Sequence, residues 1–304
     1  MTVLAIVGPT ASGKSALAVA VAQAIGSHAE IIGTDSMQVY RGMDIGTATP
    51  TLAEQGGVRH HLIDVWEPSH AVSVAEFQEV ARAAIDGVLE RGGLPIVVGG
   101  SGLYVAAVLD DLRFPGTDPL VRAALEAELA DVGPEVMHAR LAEVDPEAAA
   151  EILPTNGRRI VRALEVITIT GGPFIARLPE PTSIYPTVRV GLEIARDELD
   201  LRIAARVDRM WADGFVDEVQ RLRTDGLAGT PTASRALGYQ QVLAFLDGEC
   251  DEAQARQETI DATRRFARRQ QRWFRRDARI TWQPYDAADA VDRVIAEIPP
   301  AASR

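Results

Sequence analysis

Lys14 is the only lysine in a chain that otherwise meets its need for positive charge with 30 arginines. It sits in Gly8-Pro9-Thr10-Ala11-Ser12-Gly13-Lys14-Ser15, which fits the pattern G-x-x-x-x-G-K-[ST]. In that spacing, successive backbone N–H groups cradle a diphosphate, the lysine places a compact ammonium between phosphate oxygens, and the serine hydroxyl can ligate Mg²⁺. Asp35, with Ser36 and Gln38 behind it, is a second candidate. An acid at that place can be a Mg²⁺ ligand, a general base or a helix N-cap, and the spacing leaves all three open. Arginines form a third set. Arg202, Arg206 and Arg209 stand four and three apart, so they share a helix face. Arg202 has Glu198 and Arg209 has Asp213 at i,i+4, whereas Arg206 has no such acid. Arg158, Arg159 and Arg162 lie together on another helix.

The densest charge is in 263–279, where eight arginines meet one acid, Asp277. The window carries about +7, leaving about −19 for the rest of a chain whose net charge is −12. Arg264, Arg268, Arg272 and Arg276 are spaced i,i+4, and Phe266, Trp273 and Phe274 stand among them. Arginine rows with aromatics suit phosphates and unstacked bases, and a basic face on an acidic body binds polyanions locally. The competing reading is a solvated helix face, although such faces normally interleave acids. His60-His61 suggests a metal pair, but adjacent residues project to different sides and no third ligand has suitable spacing.

The elements that position these residues are legible as a βαβα rhythm. Apolar runs at 3–7, 30–34 and 95–100 read as strands, and 14–26 and 73–91 as helices. The rhythm predicts an α/β fold, a P-loop NTPase-like parallel sheet flanked by helices, with ligands at the C-terminal strand ends. The P-loop, Asp35 and Gly99–Gly102 would meet there. The third strand ends in Gly99-Gly100-Ser101-Gly102 with no acid. Many P-loop hydrolases hold their metal with an Asp at such a strand end, so this stretch argues against an ATPase or GTPase switch. It leaves room for a loop that holds a diphosphate leaving group. Residues 117–153 are rich in Ala, Glu and Leu with no strand candidate. They predict a small all-helical insertion domain, 116–154, in a core made of 1–115 and 155–304. Helices are further expected at 156–169, 197–223, 251–279 and in the tail, with a strand at 188–194.

Composition narrows the class. Hydrophobic content of 47% is ample for a core, and no apolar run reaches the length of a membrane span. The chain enters its first strand directly, without a signal peptide pattern, and one cysteine, Cys250, fits a reducing cytosol. A cytoplasmic protein with no membrane partner is expected.

Taken together these stretches resemble the tRNA dimethylallyltransferases (tRNA isopentenyltransferases) of bacterial type. The likeness includes Gly8–Ser15, Asp35-Ser36-Met37-Gln38-Val39-Tyr40 with Gly42–Ala48, and His60-His61-Leu62-Ile63-Asp64. It continues with Val98–Tyr104, Asn156–Val166, Ala236-Leu237-Gly238-Tyr239-Gln240 and Thr263–Arg275, in family order over nearly the whole chain. One departure is Thr49-Pro50, where the family usually has Lys-Pro, and the zinc finger of eukaryotic members is absent.

The resemblance implies transfer of a dimethylallyl group from dimethylallyl diphosphate to N6 of the adenosine just 3′ of the anticodon. It implies Mg²⁺ on Ser15, diphosphate on the loop and Lys14, Arg206 completing that site, Thr10 beside the reacting centre, and Asp35 accepting the N6 proton or hydrogen-bonding the amine. For tRNA it implies contacts from Asp35, Ser36, Met37, Gln38, Ser101 and Arg122. A second group would be Arg158, Arg159, Arg162, Arg235, Gly238, Tyr239 and Gln240, and a third Arg268, Arg269, Gln270, Arg272, Trp273 and Arg275. A monomer is expected. Three rivals remain on residues alone. A nucleoside or nucleotide kinase shares the P-loop but has no use for the arginine row. A prenyltransferase of free adenine nucleotides shares only the catalytic half. A nucleotide-gated RNA-binding module would leave Asp35 dispensable.

Overall fold

A computed structural model gives the fold, and it describes residues 2–175, 180–230 and 232–299. Its centre is a six-stranded sheet of β1 (Val3–Val7), β2 (Ala29–Gly33), β3 (His60–His61), β4 (Leu94–Gly99), β5 (Thr187–Glu193) and β6 (Ile280–Pro284). The order is β3-β2-β4-β1-β5-β6 and every ladder is parallel. Such a sheet is covered on both faces, which explains strands that are nearly continuous apolar runs. In β1, Val3, Ala5 and Val7 join one buried cluster and Leu4 and Ile6 the other. The first cluster includes Phe77, Ala81 and Ile85 of α2 (Val74–Glu90) and Val105 and Val108 of α3 (Gly102–Leu109). The second includes Ala18, Val21 and Ala22 of α1 (Lys14–Ile25). The helix α2 begins at a capping box, Ser73 with Glu76, each side chain bonding the other's backbone N–H.

Two compact units emerge, 1–110 with 183–304, and 111–182. The smaller is all-helical, with α4 (Pro119–Val144, kinked at Gly133-Pro134), α5 (Pro146–Glu151) and α6 (Gly157–Thr170). Its core is Leu125, Met137, Leu141, Ile152, Ile160 and Leu164. The helix α6, placed with the main body in the sequence reading, thus falls in this unit. Its apolar face is matched to α4, a pairing that local composition does not reveal.

The remaining helices belong to the larger unit: α7 (Arg196–Ala212), α8 (Phe215–Thr224), α9 (Tyr239–Leu246), α10 (Glu252–Phe274) and α11 (Ala290–Glu297). Two expected helices need correction. The single helix over 197–223 is two, because Gly214 takes φ 92°, a left-handed conformation that ends α7 and starts α8. The helix over 251–279 stops at Phe274, so Arg276 and Arg279 lie beyond it. Asp277 there accepts from the backbone N–H and guanidinium of Arg279 and from Arg189 of β5. Those bonds turn the chain into β6, an edge strand absent from the sequence reading. Among the described residues no helix is long and apolar enough to cross a membrane.

Candidate active site

The neighbouring strands β2, β4 and β1 end side by side, so the residues after each meet at the C-terminal end of the sheet. The P-loop leaves β1 and delivers Lys14 as the first residue of α1. Its turn is tight: Ser12 is fully buried, its N–H donates to Pro9 O at 3.3 Å, and Ala11 adopts φ 63°. The Lys14 ammonium also donates to Pro9 O at 3.3 Å. A cavity of about 640 Å³, counting its open mouth, is lined by Thr10, Lys14, Ser15, Asp35, Thr47 and Arg206 among others. Apolar Ala18, Ile31, Ile63 and Val98 share its wall.

Asp35 follows β2 and a turn, not a helix, comes next; its Oδ1 accepts from Met37 N–H at 2.9 Å. The helix-cap alternative therefore becomes a local turn bond that leaves the carboxylate on the cavity wall. Arg206 comes from α7 and donates to Thr10 Oγ1 at 3.3 Å and to Thr47 O at 3.4 Å. The two cations and the acid feel one another. Burial, reinforced by Arg206 and opposed by Asp35, brings the Lys14 pKa down to about 8. Burial likewise lowers the Arg206 pKa, against the pull of Asp35. Two cations facing one carboxylate across a cavity leave room for an anion.

The loop that follows Asp35 is held from outside. Glu218 of α8 is buried and accepts from the N–H groups of Asp44, Ile45 and Gly46 and from the Tyr239 hydroxyl at 2.6 Å. Gln38 Nε2 donates to the carbonyls of Thr47 and Ala48. Thr49 shares a hydrogen bond with the Thr47 hydroxyl at 2.8 Å. Glu218→Ala is expected to cost about 3–5 kcal/mol, because several buried donors lose one charged acceptor together. Urea unfolding measures it, and a loss under about 1 kcal/mol would mean that residues 43–48 hold themselves.

The structure distributes the expected tRNA residues unevenly. Gly238 and Tyr239 are buried, Tyr239 completely, with its ring edge-on to Phe215. They are core residues of the α8–α9 junction and reach no surface, whereas Arg235 and Gln240 beside them are exposed. Ser36, Met37 and Gln38 are partly exposed beside Asp35, and Ser101 begins α3. In the smaller unit, Arg122 and Arg162 both bind the fully buried Glu165 carboxylate, and Arg162 also donates to the carbonyls of Pro115 and Gly116. Arg158 and Arg159 are exposed at the start of α6.

On α10 the row is not uniformly solvated. Arg268 pairs with Asp200 of α7 at 3.0 Å, Arg264 with Asp261, and Arg275 with Glu193. Arg265, Arg269, Arg272 and Arg276 are exposed, and Arg269 lies over the Phe266 ring. Trp273 packs against Gly102, where a Cβ would fall 2.1 Å from the indole, so only glycine admits that approach. Gln270 is buried, and its Oε1 accepts from Thr10 N–H at 2.9 Å. Arg202, expected beside Glu198, instead donates to Ala11 O at 2.8 Å and stacks over Tyr285. The support given by Arg202, Gln270, Thr47 and Glu218 was not visible in sequence. Each acts across long sequence separation, where spacing gives no signal.

Comparison with known proteins gives the family of the chain. A family model described as IPP transferase matches residues 38–277. A tRNA dimethylallyltransferase of Thermobifida fusca is 63% identical over 97% of this chain and 93% of its own. One of Streptomyces avermitilis is 61% identical over 95% and 92%. The crystal structure of the tRNA isopentenylpyrophosphate transferase from Bacillus halodurans is 41% identical, covers 97% of this chain and 93% of its own, and superposes with a TM-score of 0.71. A eukaryotic dimethylallyltransferase acting on tRNA gives a TM-score of 0.82 at 25% identity, over 97% of this chain and 78% of its own. With a matching model over most of its length and relatives above 60% identity end to end, this chain belongs to the tRNA dimethylallyltransferase (IPP transferase) family.

Proposed function

We propose that the chain transfers a dimethylallyl group from dimethylallyl diphosphate to N6 of the adenosine immediately 3′ of the anticodon, position 37, in tRNAs reading codons that begin with U. The observation that carries the reading is the single cavity on which Lys14, Arg206 and Asp35 converge beside an apolar wall. Loop amides, Lys14 and Arg206 bind the diphosphate and hold the negative charge that grows as the allylic C–O bond breaks. The apolar residues exclude water from the cation-like carbon. The exocyclic amine is a weak nucleophile, so ionisation leads and N6 then forms the new C–N bond. Its proton passes to the Asp35 carboxylate, and diphosphate departs. The adenine must leave its stack to enter the cavity.

The donor set suits Mg²⁺. Ser15 presents a hydroxyl on the cavity wall, and among the described residues no cluster of three or more acids, histidines or cysteines competes for a metal. A cation held by Ser15 and substrate phosphate oxygens is the usual mode of Mg²⁺, which keeps few protein ligands. When bound it supplies charge neutralisation to the leaving diphosphate. A cytoplasmic monomer acting on tRNA is part of the same reading. The test is mass spectrometry of nucleosides after incubation with tRNA, dimethylallyl diphosphate and Mg²⁺. The expected product is N6-dimethylallyladenosine at one position, and unmodified tRNA would overturn the reading.

The exposed arginines of α10 supply the polyanion contacts in this reading. Each phosphate they neutralise contributes about 0.7–0.9 to the log–log slope of binding against salt. Replacing Arg269 and Arg272 with Gln should flatten the tRNA slope by ~1–2 units, with donor affinity unchanged. Arg268 is a poorer choice because Asp200 already holds it. Binding titrations at several salt concentrations decide, and an equal slope in both proteins removes α10 from the tRNA site.

A further inference from the structure

The P-loop is not self-supporting. Three bonds arrive at residues 10 and 11 from the far end of the chain: Gln270 Oε1 to Thr10 N–H at 2.9 Å, Arg206 to Thr10 Oγ1 at 3.3 Å, and Arg202 to Ala11 O at 2.8 Å. Ala11 also packs against the buried cluster of Ile194, Leu199, Ile203 and Ala267, which joins α7 to α10. So α7 and α10 together fix the half of the loop that precedes the lysine. Within this grip Gln270 is the contribution of the arginine-rich helix. It is buried on the face of α10 that turns away from Arg269 and Arg272, and its amide abuts Gly100, where a Cβ would lie 2.5 Å from Nε2. Thr10 lines the cavity whereas Gln270 does not.

We infer that Gln270 is a positioning residue for the donor site and not a tRNA contact: by accepting the Thr10 N–H it sets the Thr10 hydroxyl that meets Arg206, and it ties the helix that carries the exposed arginines to the diphosphate loop. The inference rests on the dimethylallyl-transfer reading for its substrates alone. A backbone displacement of about 1 Å at a reacting site costs up to ~10²-fold in rate, so one buried acceptor at the loop is enough to matter. The bond joins the buried Gln270 of α10 directly to the backbone of the loop.

The test compares Gln270→Met, which keeps the volume and removes the acceptor, with Gln270→Glu, which keeps an acceptor for the Thr10 amide and adds a negative charge. Donor kcat/KM at saturating tRNA, tRNA Kd without donor, inorganic diphosphate affinity by calorimetry and Tm are measured on the full chain. Gln270→Met is expected to lower donor kcat/KM and diphosphate affinity about tenfold, with tRNA Kd within about twofold of the parent. Gln270→Glu should retain most of the donor terms. A tRNA contact predicts the reverse order, with Gln270→Glu weakening tRNA binding most through repulsion of phosphates and both variants keeping the donor terms. That pattern, or donor terms unchanged in both variants, or an equal loss in both that follows Tm, overturns the inference. Diphosphate calorimetry needs no turnover, so it reads the loop even if the parent protein fails to modify tRNA, an outcome that would count against the functional reading alone.

Discussion

Lys14→Ala is expected to lower prenyl transfer by about 10²–10³-fold, roughly 2.7–4 kcal/mol of transition-state stabilisation, while tRNA binding stays within about twofold. The ammonium is bonded to Pro9 O and lines the cavity with Arg206, and in the proposed reaction it would meet the charge that develops on departing diphosphate. It belongs to α1, whereas the exposed arginines belong to α10, and the two ligands should separate accordingly. Single-turnover rates with radiolabelled donor and a tRNA binding assay measure both halves. Turnover near that of the parent would remove the P-loop from the diphosphate site.

The same residue gives the enzyme a pH signature whose sign follows from its environment. Burial, reinforced by Arg206, brings the Lys14 pKa down from 10.5 to about 8. Between about pH 8 and 10.5 the unfolded chain therefore binds more protons at this group than the folded chain does. Folding stability from Lys14 consequently rises with pH through that window, because burial and Arg206 disfavour the charged form. Diphosphate reverses the preference, because it favours the ammonium. Above pH 8 donor binding must take up a proton, and donor KM should climb by up to about tenfold per pH unit. Lys14→Ala should abolish this climb. A flat KM profile from pH 7.5 to 9.5 in the parent protein would show that Lys14 is already charged in the free enzyme.

How much of this was legible beforehand depends on the range of the interaction. The apolar runs at 3–7, 30–34, 95–100 and 188–194 match β1, β2, β4 and β5 to within one residue at each end, because a buried parallel strand writes itself as an apolar run. The gathering of Lys14, Asp35 and the glycines at the C-terminal end of the sheet follows from the same rhythm. By contrast β3 is two polar residues, His60-His61, whose ladder with Ile31 and Ile32 depends on a partner far back in the chain. The strand β6 is hidden in an arginine-rich tail, since the turn into it is made by the partly buried bonds of Asp277 with Arg189 and Arg279. Tyr239 shows the limit of motif reading. The motif marks it, yet its hydroxyl belongs to Glu218, and the loop it steadies is the one that faces the cavity. Arg122 and Arg162 are likewise spent on Glu165, a carboxylate whose burial no local pattern announces.

Asp35→Asn should keep both substrates bound and lose at least ~10²-fold in turnover, the usual scale for a positioned base. Asparagine preserves the geometry on which the alternative depends. Its amide oxygen can still accept the Met37 N–H, now at 2.9 Å from Oδ1, so the turn after β2 should hold and Tm should move little. What is lost is the negative charge that faces Lys14 and Arg206 and the capacity to take the N6 proton. Removing that charge leaves two cations for the diphosphate, so donor affinity should stay the same or tighten while kcat falls. This split separates the roles. A purely structural Asp35 predicts a drop in Tm with kcat retained, and an Asp35 that serves as the metal ligand predicts activity restored by higher Mg²⁺. A kcat loss that neither Mg²⁺ nor excess tRNA rescues places the proton on Asp35. Full turnover in the variant would return the residue to the turn it closes.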